Sequence, residues 1–406
     1  MNLIDDVLLS DMLNVSLSTI IAWKKKNKII PCNKSTDGSD LYCINELTQF
    51  PDIQKMVESK WHIDQQIKPN KTYKTIELFA GGGGMSLGLE SVGFEHVALI
   101  ENNKDACNTL RTNRPQWHVI EEDVRNVDFT GYENIDLLAG GFNCQSFSYA
   151  GKKLGFNDAR GLLFFEFTRA IKEIQPKVFL GENVKGLLTN DKGNTIKTVK
   201  ETLRGLGYTL IEPKLLRAIF YKVPQRRERV FLVGIRNDLI KENCVFNWPE
   251  YYHKIFTVRD ALFAGELYNT DCPLSDGETY SKMKYSILSQ VPEGGNHYNL
   301  PEETRKEYLK KSYTASGKQT GIARRLSFSR PSLTILCSPA QKRTERCHPT
   351  ETRPLTIRES ARIQTFPDSW TFVGSKEARY AQIGNAVPVN LVEAIGRRLI
   401  ALLNCL

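Results

Sequence analysis

The sequence lacks any apolar stretch long enough to cross a membrane, because no window approaches the ~18 uninterrupted apolar residues that a membrane-spanning helix needs. Its N-terminus carries Asp5 and Asp6 where a secretory signal peptide would carry basic residues. No two of its nine cysteines form a CxxC pair and their number is odd, so the sequence indicates neither a zinc ribbon nor a disulfide framework. These absences predict a cytoplasmic protein without a membrane segment.

The sequence also lacks the signatures of a metal site and of a phosphate-binding P-loop. Cys337, Cys347 and His348 are the nearest approach to a metal cluster, but their spacing fits no zinc-binding pattern. The lysine and Ser/Thr of a phosphate-binding P-loop are missing, which argues against nucleotide hydrolysis. An acidic excess is absent too, and the formal net charge of +9 is compatible with binding to nucleic acid.

The first 65 residues have the character of a separate helical unit. Apolar residues at 8–13 predict a short helix, and residues 19–26 predict a second one that ends in three lysines. Two short helices around a tight turn are typical of a helix-turn-helix motif. The unit resembles the N-terminal winged helix-turn-helix of mercury-resistance-type regulators, whose second helix also ends in a tryptophan, here Trp23, before a basic turn. Two interpretations stay open: the unit contacts DNA, or it only packs against the rest of the chain.

The remaining 341 residues divide into three parts after a polar linker at 66–74. Strands and helices alternate through 75–236, which is typical of a doubly wound α/β sheet. Over 237–350 the alternation is lost, which predicts a smaller, irregular domain, and helical character returns over 351–406. The predicted strands cover 75–79, 97–100, 119–120, 135–139 and 178–180, with a closing pair at 208–216 and 229–235. The predicted helices cover 85–89, 104–113, 161–174, 194–206, 356–363 and 389–403.

A glycine-rich turn, residues 80–84, follows the first predicted strand. Such a turn lets the backbone approach a ligand and leaves amide groups free at the start of a helix. Glu101 ends the second strand about 20 residues later, where a carboxylate can bind a ribose diol. The turn and the acid together predict a cofactor that contains a nucleoside. Asp123 ends the third strand and is placed to accept a hydrogen bond from an adenine amino group.

Four further segments carry residues suited to chemistry. Cys144 lies in a loop after the fourth predicted strand, at the edge where open α/β sheets place their active sites. Glu182 and Asn183 end the fifth strand and would share the same cleft. In the run 225–229, alternate residues of an extended segment point to one face. The last segment, 382–388, is predicted to open the C-terminal helix.

These segments, in this order, resemble one family: the DNA cytosine-5 methyltransferases of bacterial restriction–modification systems. The resemblance covers about residues 73–236 and 350–403. It rests on Phe79–Ala80–Gly81, the loop Cys144–Gln145–Ser146–Phe147–Ser148, Glu182–Asn183–Val184, the run Gln225–Arg229 and the segment Gln382–Pro388. It implies the Rossmann-like, doubly wound sheet of an S-adenosylmethionine-dependent methyltransferase, with residues 237–350 as a target-recognition domain.

The resemblance also implies a covalent mechanism, because cytosine C5 is a poor nucleophile. Cys144 would add as a thiolate to C6, after which C5 can attack the methyl group of S-adenosylmethionine. Glu182 would bond N3 and the exocyclic amine of the base. Arg227 and Arg229 would hold the carbonyl oxygen O2 and the adjacent phosphate, and Asn183 would brace the loop that carries Cys144.

Binding residues follow from the same resemblance. Those implied for S-adenosylmethionine are Phe79, Ala80, Gly81, Gly83, Glu101, Asn102, Asp123, Val124, Asn385 and Val387. Those implied or considered for DNA are Gln145, Ser146, Ser148, Gln225, Arg324, Arg325, Lys342 and Arg343. The partners expected are double-stranded DNA, whose target base must be flipped out, and a cognate restriction endonuclease that is linked genetically rather than as a stable complex. We expect a monomer without a metal.

Two positions depart from the family pattern. Asn143 precedes the cysteine where the family usually has proline, and it permits more backbone conformers than proline does. Glu77 stands in the first strand where aspartate is usual. Neither change removes a reacting group, so we predict an active enzyme.

Two other functions are compatible with parts of the sequence. A tRNA cytosine-5 methyltransferase can share this catalytic core, although the long basic segment before residue 382 favours DNA. A DNA-binding regulator with a degenerate methylase core is the second, and the intact Cys144, Glu182 and Arg227 argue against degeneracy. A mixed role is a further hypothesis, in which residues 1–65 repress the enzyme's own promoter.

Overall fold

The chain begins with a small unit of helices around a three-stranded sheet. The computed structural model of the protein describes residues 3–36, 38–142, 162–314, 321–342 and 345–406. The α1 and α2 axes of this unit are 110° apart, an angle typical of a helix-turn-helix. Its strands lie in the order β1-β3-β2. The elements of this N-terminal unit are β1 (Leu3–Asp5), α1 (Asp6–Leu13), α2 (Leu17–Lys25), β2 (Asn33–Lys34), β3 (Asp40–Cys43), α3 (Pro51–Val57) and α4 (Trp61–Asp64).

The N-terminal unit shares its apolar core with the rest of the chain. Leu9, Met12 and Ile20 are buried in the same cluster as Leu180 and Leu399 from the main body. The buried side of the unit predicted at 1–65 is therefore completed by residues far away in sequence.

A mixed sheet of eight strands forms the centre of the molecule. Its order is β10-β12-β8-β7-β4-β5-β6, and β9 pairs with β12. The strands β4 to β8 run parallel, whereas β12 runs antiparallel to β8. The strands are β4 (Tyr73–Leu78), β5 (Phe94–Glu101), β6 (Val119–Glu121), β7 (Leu137–Gly141), β8 (Val178–Val184), β9 (Tyr208–Leu210), β10 (Lys214–Arg217), the separately paired β11 (Gln225–Arg226) and β12 (Glu228–Arg236). The mixed α/β fold predicted from the alternation is confirmed.

Side chains alternate between the two faces of this sheet, as the twofold period of a strand requires. Leu137 and Ala139 of β7 pack in one apolar cluster, and Leu138 packs in another on the opposite face. Between the strands lie α5 (Gly84–Ser91), α6 (Lys104–Asn113), α7 (Leu162–Ile174), α8 (Gly186–Thr189) and α9 (Asn194–Gly205). The sheet is thus covered on both sides, which holds the carboxyl ends of its parallel strands in a fixed row.

The irregular segment has a small core of its own and also contributes to the core of the main body. Val258 and Leu262 of α10 pack with Trp370 of the main body. A separate cluster contains Ile287 and Ile322. The remaining elements are α10 (Val258–Leu262), α11 (Lys282–Leu288), α12 (Glu302–Leu309), β13 (Ser332–Leu333), α13 (Ile357–Ile363), α14 (Lys376–Asn385) and α15 (Val389–Cys405).

One covalent link differs from the sequence-based expectation. Cys244 and Cys405 form a disulfide, with Cα atoms 5.6 Å apart. These cysteines are 161 residues apart in sequence, so their spacing carried no signal. Within the described ranges no single helix is long and apolar enough to cross a membrane, and α1 and α2 reach that length only as a bent pair. In the same ranges no three His, Cys, Asp or Glu residues are grouped as a metal site would require.

Candidate active site

Glu182 and Arg229 form an ion pair where β8 and β12 meet. Their register explains the contact, because Val184 lies opposite Arg229 and residues two apart on a strand share a face. The Arg229 Nε lies 2.7 Å from the Glu182 Oε1. Gly141 of β7 is opposite Glu182, and a Cβ there would lie only 2.8 Å from the Glu182 Oε2. Glycine at this position therefore leaves room for the carboxyl group.

The pKa of Glu182 is higher than that of an ordinary glutamate. Burial raises it, and the positive charges of Arg229 and Arg227 lower it only in part. A carboxyl with a raised pKa takes up a proton more readily than an ordinary glutamate, and once protonated it can donate a hydrogen bond. This is the property that a group facing a ring nitrogen of a base needs.

Asn183 points to the opposite face of β8 and holds the backbone that leads to the cysteine loop. Its Nδ2 donates a hydrogen bond of 2.5 Å to the carbonyl oxygen of Phe142, which is the last described residue before that loop. Asn183 is itself buried. The predicted residues Asn143, Cys144, Gln145, Ser146 and Ser148 lie outside the described residues.

A cavity of about 300 Å³ opens at the carboxyl ends of β4 and β5 and extends to Glu182. The predicted cofactor residues among its walls are Phe79, Ala80, Gly81, Glu101, Asn385 and Val387. The cavity therefore joins the glycine-rich turn at one end with the Glu182–Arg229 pair at the other. A cofactor held by the glycine-rich turn would therefore share this space with Glu182.

The Glu101 carboxylate is held in place by two backbone amides. The amide of Gly81 donates to one oxygen at 2.8 Å and the amide of Asn103 donates to the other at 2.8 Å. Each oxygen retains a second lone pair that faces the cavity and can accept from a ribose hydroxyl. The φ angle of Gly81 is 55°, a conformation that glycine adopts at no steric cost.

Glu77 gives the cavity an unpaired buried oxygen. It lies in β4, lines the cavity, and its Oε2 has no hydrogen-bond partner among the described residues. Burial raises the pKa of Glu77 to about 8. An unsatisfied carboxyl in a cavity is suited to an ammonium group such as that of a methionine moiety, because the ligand would supply the missing partner. The residues present therefore fit S-adenosylmethionine.

Four predicted cofactor residues do not line this cavity: Gly83, Asn102, Asp123 and Val124. Gly83 packs against Trp370 instead, and a Cβ there would lie 2.7 Å from the indole ring. The carboxylate of Asp123 is bonded to Arg125, which lowers the pKa of Asp123 to about 2. Val124 is buried in the core.

Sequence reasoning missed a wall that α14 provides. The residues of this helix in the cavity wall are Ala378, Ala381, Gln382 and Asn385. Their spacing of three, one and three residues is that of one helix face, and this signal was present in the sequence. The segment 382–388 was predicted to open the C-terminal helix, whereas it ends α14 and leads into α15. Asn103 and Ala106 of the α6 start were also missed.

Arg227 is buried beside the Glu182–Arg229 pair and hydrogen-bonds to backbone carbonyls. It is 1% exposed and donates to the backbone carbonyls of Ile335 at 3.3 Å and of Gly384 at 3.0 Å. Burial and the neighbouring charge of Arg229 lower the pKa of Arg227 to about 9. Arg227 thus ties the start of β12 to the segments at 335 and 384, and its contact with the target base stays a prediction.

Gln225 faces the interior of the protein, and its contact with DNA stays a prediction. It is fully buried, and its amide nitrogen donates to Gln364 Oε1 at 2.9 Å while its own oxygen accepts from the amide of Ile335. Gln364 donates onward to the carbonyls of Ile383 and Ala386. This chain of side-chain amides connects β11 with the end of α14, and Gln364 was not predicted.

The candidate base-reading residues occupy different positions. Arg325 is buried, and its guanidinium donates to the carbonyls of Leu288 and Val291 and to other groups around them. These hydrogen bonds stabilise the irregular segment, and a contact of Arg325 with DNA stays a prediction. Lys342 donates to the carbonyls of Tyr308 and Leu309 at the end of α12. Arg324 is half-buried at the cleft, and Arg343 lies outside the described residues.

The sequence model of the C-5 cytosine-specific DNA methylase family matches residues 73–401. This chain belongs to that family. Type II methyltransferase M.Eco47II of Escherichia coli is 54% identical over 396 residues, which cover 97% of this chain and 94% of that protein. M.PspPI of a Psychrobacter species is 52% identical, covering 98% and 95% of the two chains. M.Sau96I of Staphylococcus aureus is 41% identical, covering 98% and 87%.

Solved structures agree with this assignment. A prophage-encoded Escherichia coli protein, titled a DNA modification methyltransferase, superposes with a TM-score of 0.59 at 26% identity, over 82% of this chain and all of that one. The Schizosaccharomyces pombe Dnmt2 methyltransferase shares the fold, with a TM-score of 0.55 at 18% identity over 82% and 98% of the chains. The enzyme is thus a DNA cytosine-5 methyltransferase of the type II kind, and its methyl donor is S-adenosylmethionine.

Proposed function

We propose that the enzyme methylates C5 of a flipped-out cytosine within a specific duplex sequence and that Cys144 is its nucleophile. The observation that carries this proposal is the single cavity that joins Glu101 and the glycine turn to Glu182. A cofactor and a target base that entered this space from opposite ends would meet at Glu182. In a continuous duplex the C5 atom is inaccessible, so the base must leave the stack.

Cys144 forms and later breaks one covalent bond in this scheme. Its thiolate adds to C6 of the ring, and the electron pair released makes C5 nucleophilic. When bound, S-adenosylmethionine supplies an electrophilic methyl group to C5. A base then removes the C5 proton, and the electron pair of that bond expels the Cys144 thiolate. Asn183 supports this role because it fixes the carbonyl of Phe142 two residues before the cysteine.

Glu182 would donate its proton toward N3 as negative charge builds on the ring. The raised pKa of Glu182 favours this state. Arg229 would hold the Glu182 carboxyl in one orientation and reach O2 with its remaining donors. Arg227 would act one step away, by keeping β12 in register with the segments at 335 and 384.

The cofactor residues follow from the cavity and from the row of strand ends. Glu101 would accept from the ribose hydroxyls, and Asn385 and Val387 would contact the methionine part. Asp123 and Val124 follow β6, which pairs with β5, so they lie next to Glu101 along the sheet edge. We propose that they contact the adenine there.

DNA recognition would lie in the region between β12 and α13. Its base-reading and phosphate-binding residues would include Arg324 and Arg343, with Gln145, Ser146 and Ser148 on the side of the catalytic loop. We propose that the enzyme acts as a monomer and protects its own DNA from a cognate restriction endonuclease. The relatives named type II methyltransferases support this role.

Repression of a promoter by the N-terminal unit is a second proposed role. The exposed side of α2 carries Ser18, Ala22 and Lys25, and a helix with this geometry suits a major groove. A double substitution, Ser18→Ala with Lys25→Ala, should abolish binding to the upstream DNA of the gene in a mobility-shift assay and leave methylation intact. Unchanged binding by the double variant would refute this second role.

Bisulfite sequencing of plasmid DNA from cells that express the protein tests the main proposal. Plasmid DNA from cells with the wild-type protein should keep unconverted cytosines in one short motif. Plasmid DNA from cells with Cys144→Ala should keep none. Glu182→Gln keeps the size of the side chain but loses the titratable proton, and we expect kcat to fall about 100-fold or more. Ser91→Ala, on the far end of α5, is the matched control and should behave as wild type. Complete conversion by soluble wild-type protein would refute the proposal.

A further inference from the structure

Asp11 is a buried carboxylate that the N-terminal unit inserts between two arginines of the main body. It lies in α1 and its side chain is 1% exposed. The Arg330 guanidinium donates to both of its oxygens, at 2.8 and 2.7 Å. Arg226 donates to the Asp11 Oδ1 as well. Burying a carboxylate is costly unless it is paired and hydrogen-bonded, so this site is built around its two partners.

Arg226 and Arg330 lie on opposite sides of the β11–β13 pair, which connects the methyltransferase core with the recognition segment. Arg226 lies in β11 of the methyltransferase core, three residues before Arg229. Arg330 precedes β13, which follows the recognition segment, and β11 pairs with β13 through Gln225–Ser332 and Arg226–Leu333. Each of these strands has only two residues. A two-residue pair is a weak connection by itself, and Asp11 bridges it.

Positive charge is in excess at this point. Burial and the nearby Arg330 and Arg226 lower the pKa of Arg324 to about 10, and burial with Arg324 and Arg226 lowers the pKa of Arg346 to about 10. Asp11 is the carboxylate in contact with Arg226 and Arg330. The arginines would repel one another without it.

A second contact fixes the same corner of the N-terminal unit. Arg217 of β10 donates to the carbonyls of Asp11 and Met12 at 2.7 and 2.6 Å and pairs with Asp52 of α3 at 3.0 Å. Arg217 of the sheet thus holds the carbonyl oxygens at the end of α1. The carboxylate of Asp11 holds the β11–β13 pair.

The N-terminal unit also reaches the wall of the catalytic cleft. A cavity of about 540 Å³ is lined by Asn14 from the α1–α2 turn together with Lys185, Arg226 and Arg229. Asn14 donates to the Glu228 Oε1 at 3.4 Å. The turn between the two helices therefore lines the same cavity as Arg229, and Asn14 is not among the residues that line the cofactor cavity.

We propose that the N-terminal unit is one wall of the cleft that binds the substrate duplex and that Asp11 is the positioning residue through which it acts. Asp11 sets the separation of the core and the recognition segment by holding Arg226 and Arg330 together. The partner of this wall is the same duplex that carries the target cytosine. This inference rests on the proposed function, and it is additional to it because the matched methylase family model begins only at residue 73.

Asp11→Asn in the full-length protein tests the proposal. The substitution keeps the shape of the side chain but removes its charge. Charge alone predicts tighter DNA binding, because the cleft becomes more positive. Positioning predicts the opposite, and we expect the KM for the duplex to rise about tenfold while the affinity for S-adenosylmethionine stays within about twofold, because that cavity is on another wall.

Asp40→Asn is the matched control. Asp40 is a partly buried carboxylate of the same unit, but it pairs with Lys24 within the unit, at 2.6 Å. It should leave both the KM for duplex DNA and the cofactor affinity unchanged. Asp11→Glu keeps the charge and should restore part of the loss, which a simple unfolding of the unit would not produce.

Three results would overturn the proposal. They are tighter or unchanged duplex binding by Asp11→Asn, an equal loss in Asp40→Asn, and a parallel loss of affinity for S-adenosylmethionine. Duplex affinity is measured by fluorescence anisotropy as well as by turnover. If the wild-type protein methylated no duplex, the proposed function would fail, and weaker duplex binding by Asp11→Asn would still support the role of Asp11.

Discussion

At the scale of single residues, charge and burial separate groups that look alike in the sequence. Arg227 and Arg229 are alternate residues of one extended run in the sequence and were assigned a joint role on the base and its phosphate. Arg229 pairs with Glu182 at the cavity, whereas Arg227 is surrounded by backbone carbonyls. Which arginine is buried depends on the segments at 335 and 384, which are more than 100 residues away. The local sequence could identify the motif, but it could not show that Arg227 and Arg229 have different partners.

Glu77 carries a prediction about stability and pH. Its pKa is about 8 in the folded protein and about 4.3 in an unfolded chain, so the folded state binds the proton more tightly. Stability is therefore fully present below the unfolded pKa and is lost as pH rises toward 8, by about 1.4 kcal/mol for each pH unit at most. Glu77→Gln should remove this loss.

Denaturant unfolding of the two proteins between pH 5 and pH 8, without cofactor, checks this prediction. Other groups titrate in both proteins and cancel in the difference. The gap between Glu77→Gln and the wild type should grow with pH. A constant gap would show that Glu77 does not hold its proton in the folded protein.

At the scale of elements, the sequence predicted the regular helices and strands well, because their apolar periods are long. The helices at 194–206 and 389–403 lie close to the observed Asn194–Gly205 and Val389–Cys405. The two-residue strands β11 and β13 were missed because they pair only with each other, across more than 100 residues. No local pattern could predict a strand pairing that depends on how the methyltransferase core and the recognition segment pack together.

The contact between α5 and α15 gives a prediction about packing. A Cβ at Gly88 would lie 2.5 Å from the Cβ of Val392 and 2.8 Å from the Val389 carbonyl oxygen. Gly88→Ala should therefore destabilise the protein by about 1–3 kcal/mol, measured as a lower thermal midpoint. Adding Val392→Ala should restore part of that loss because it removes the Val392 Cγ1, which would lie 2.8 Å from the new Cβ, while the Val392 Cβ stays in place. An additive effect of the two substitutions would contradict this account.

At the scale of the whole molecule, the N-terminal unit and the methyltransferase share one apolar cluster. Deletion of residues 1–65 would expose the side of the sheet that Leu9, Met12 and Ile20 help to cover. We expect the truncated chain to lose methylation together with solubility or cooperative unfolding. A truncated protein that unfolds cooperatively and methylates DNA would show that the unit is dispensable.

The division of the chain into domains was the least predictable feature, because distant segments share one apolar core. Composition separated 1–65 and 237–350 from the α/β region, but composition does not report which surfaces are buried against each other. Val258 and Leu262 look like part of an irregular domain in sequence and pack beside Trp370 in the structure.

The shared cluster has a consequence for the order of events during synthesis. Ile4 near one end of the chain and Leu403 near the other belong to a single core. At about 5–20 residues per second, roughly 20–80 s separate the appearance of these two segments at the ribosome. The apolar side of the first helices therefore stays partly exposed until α15 has been synthesised. The nascent chain can therefore complete this core only after α15 has been synthesised.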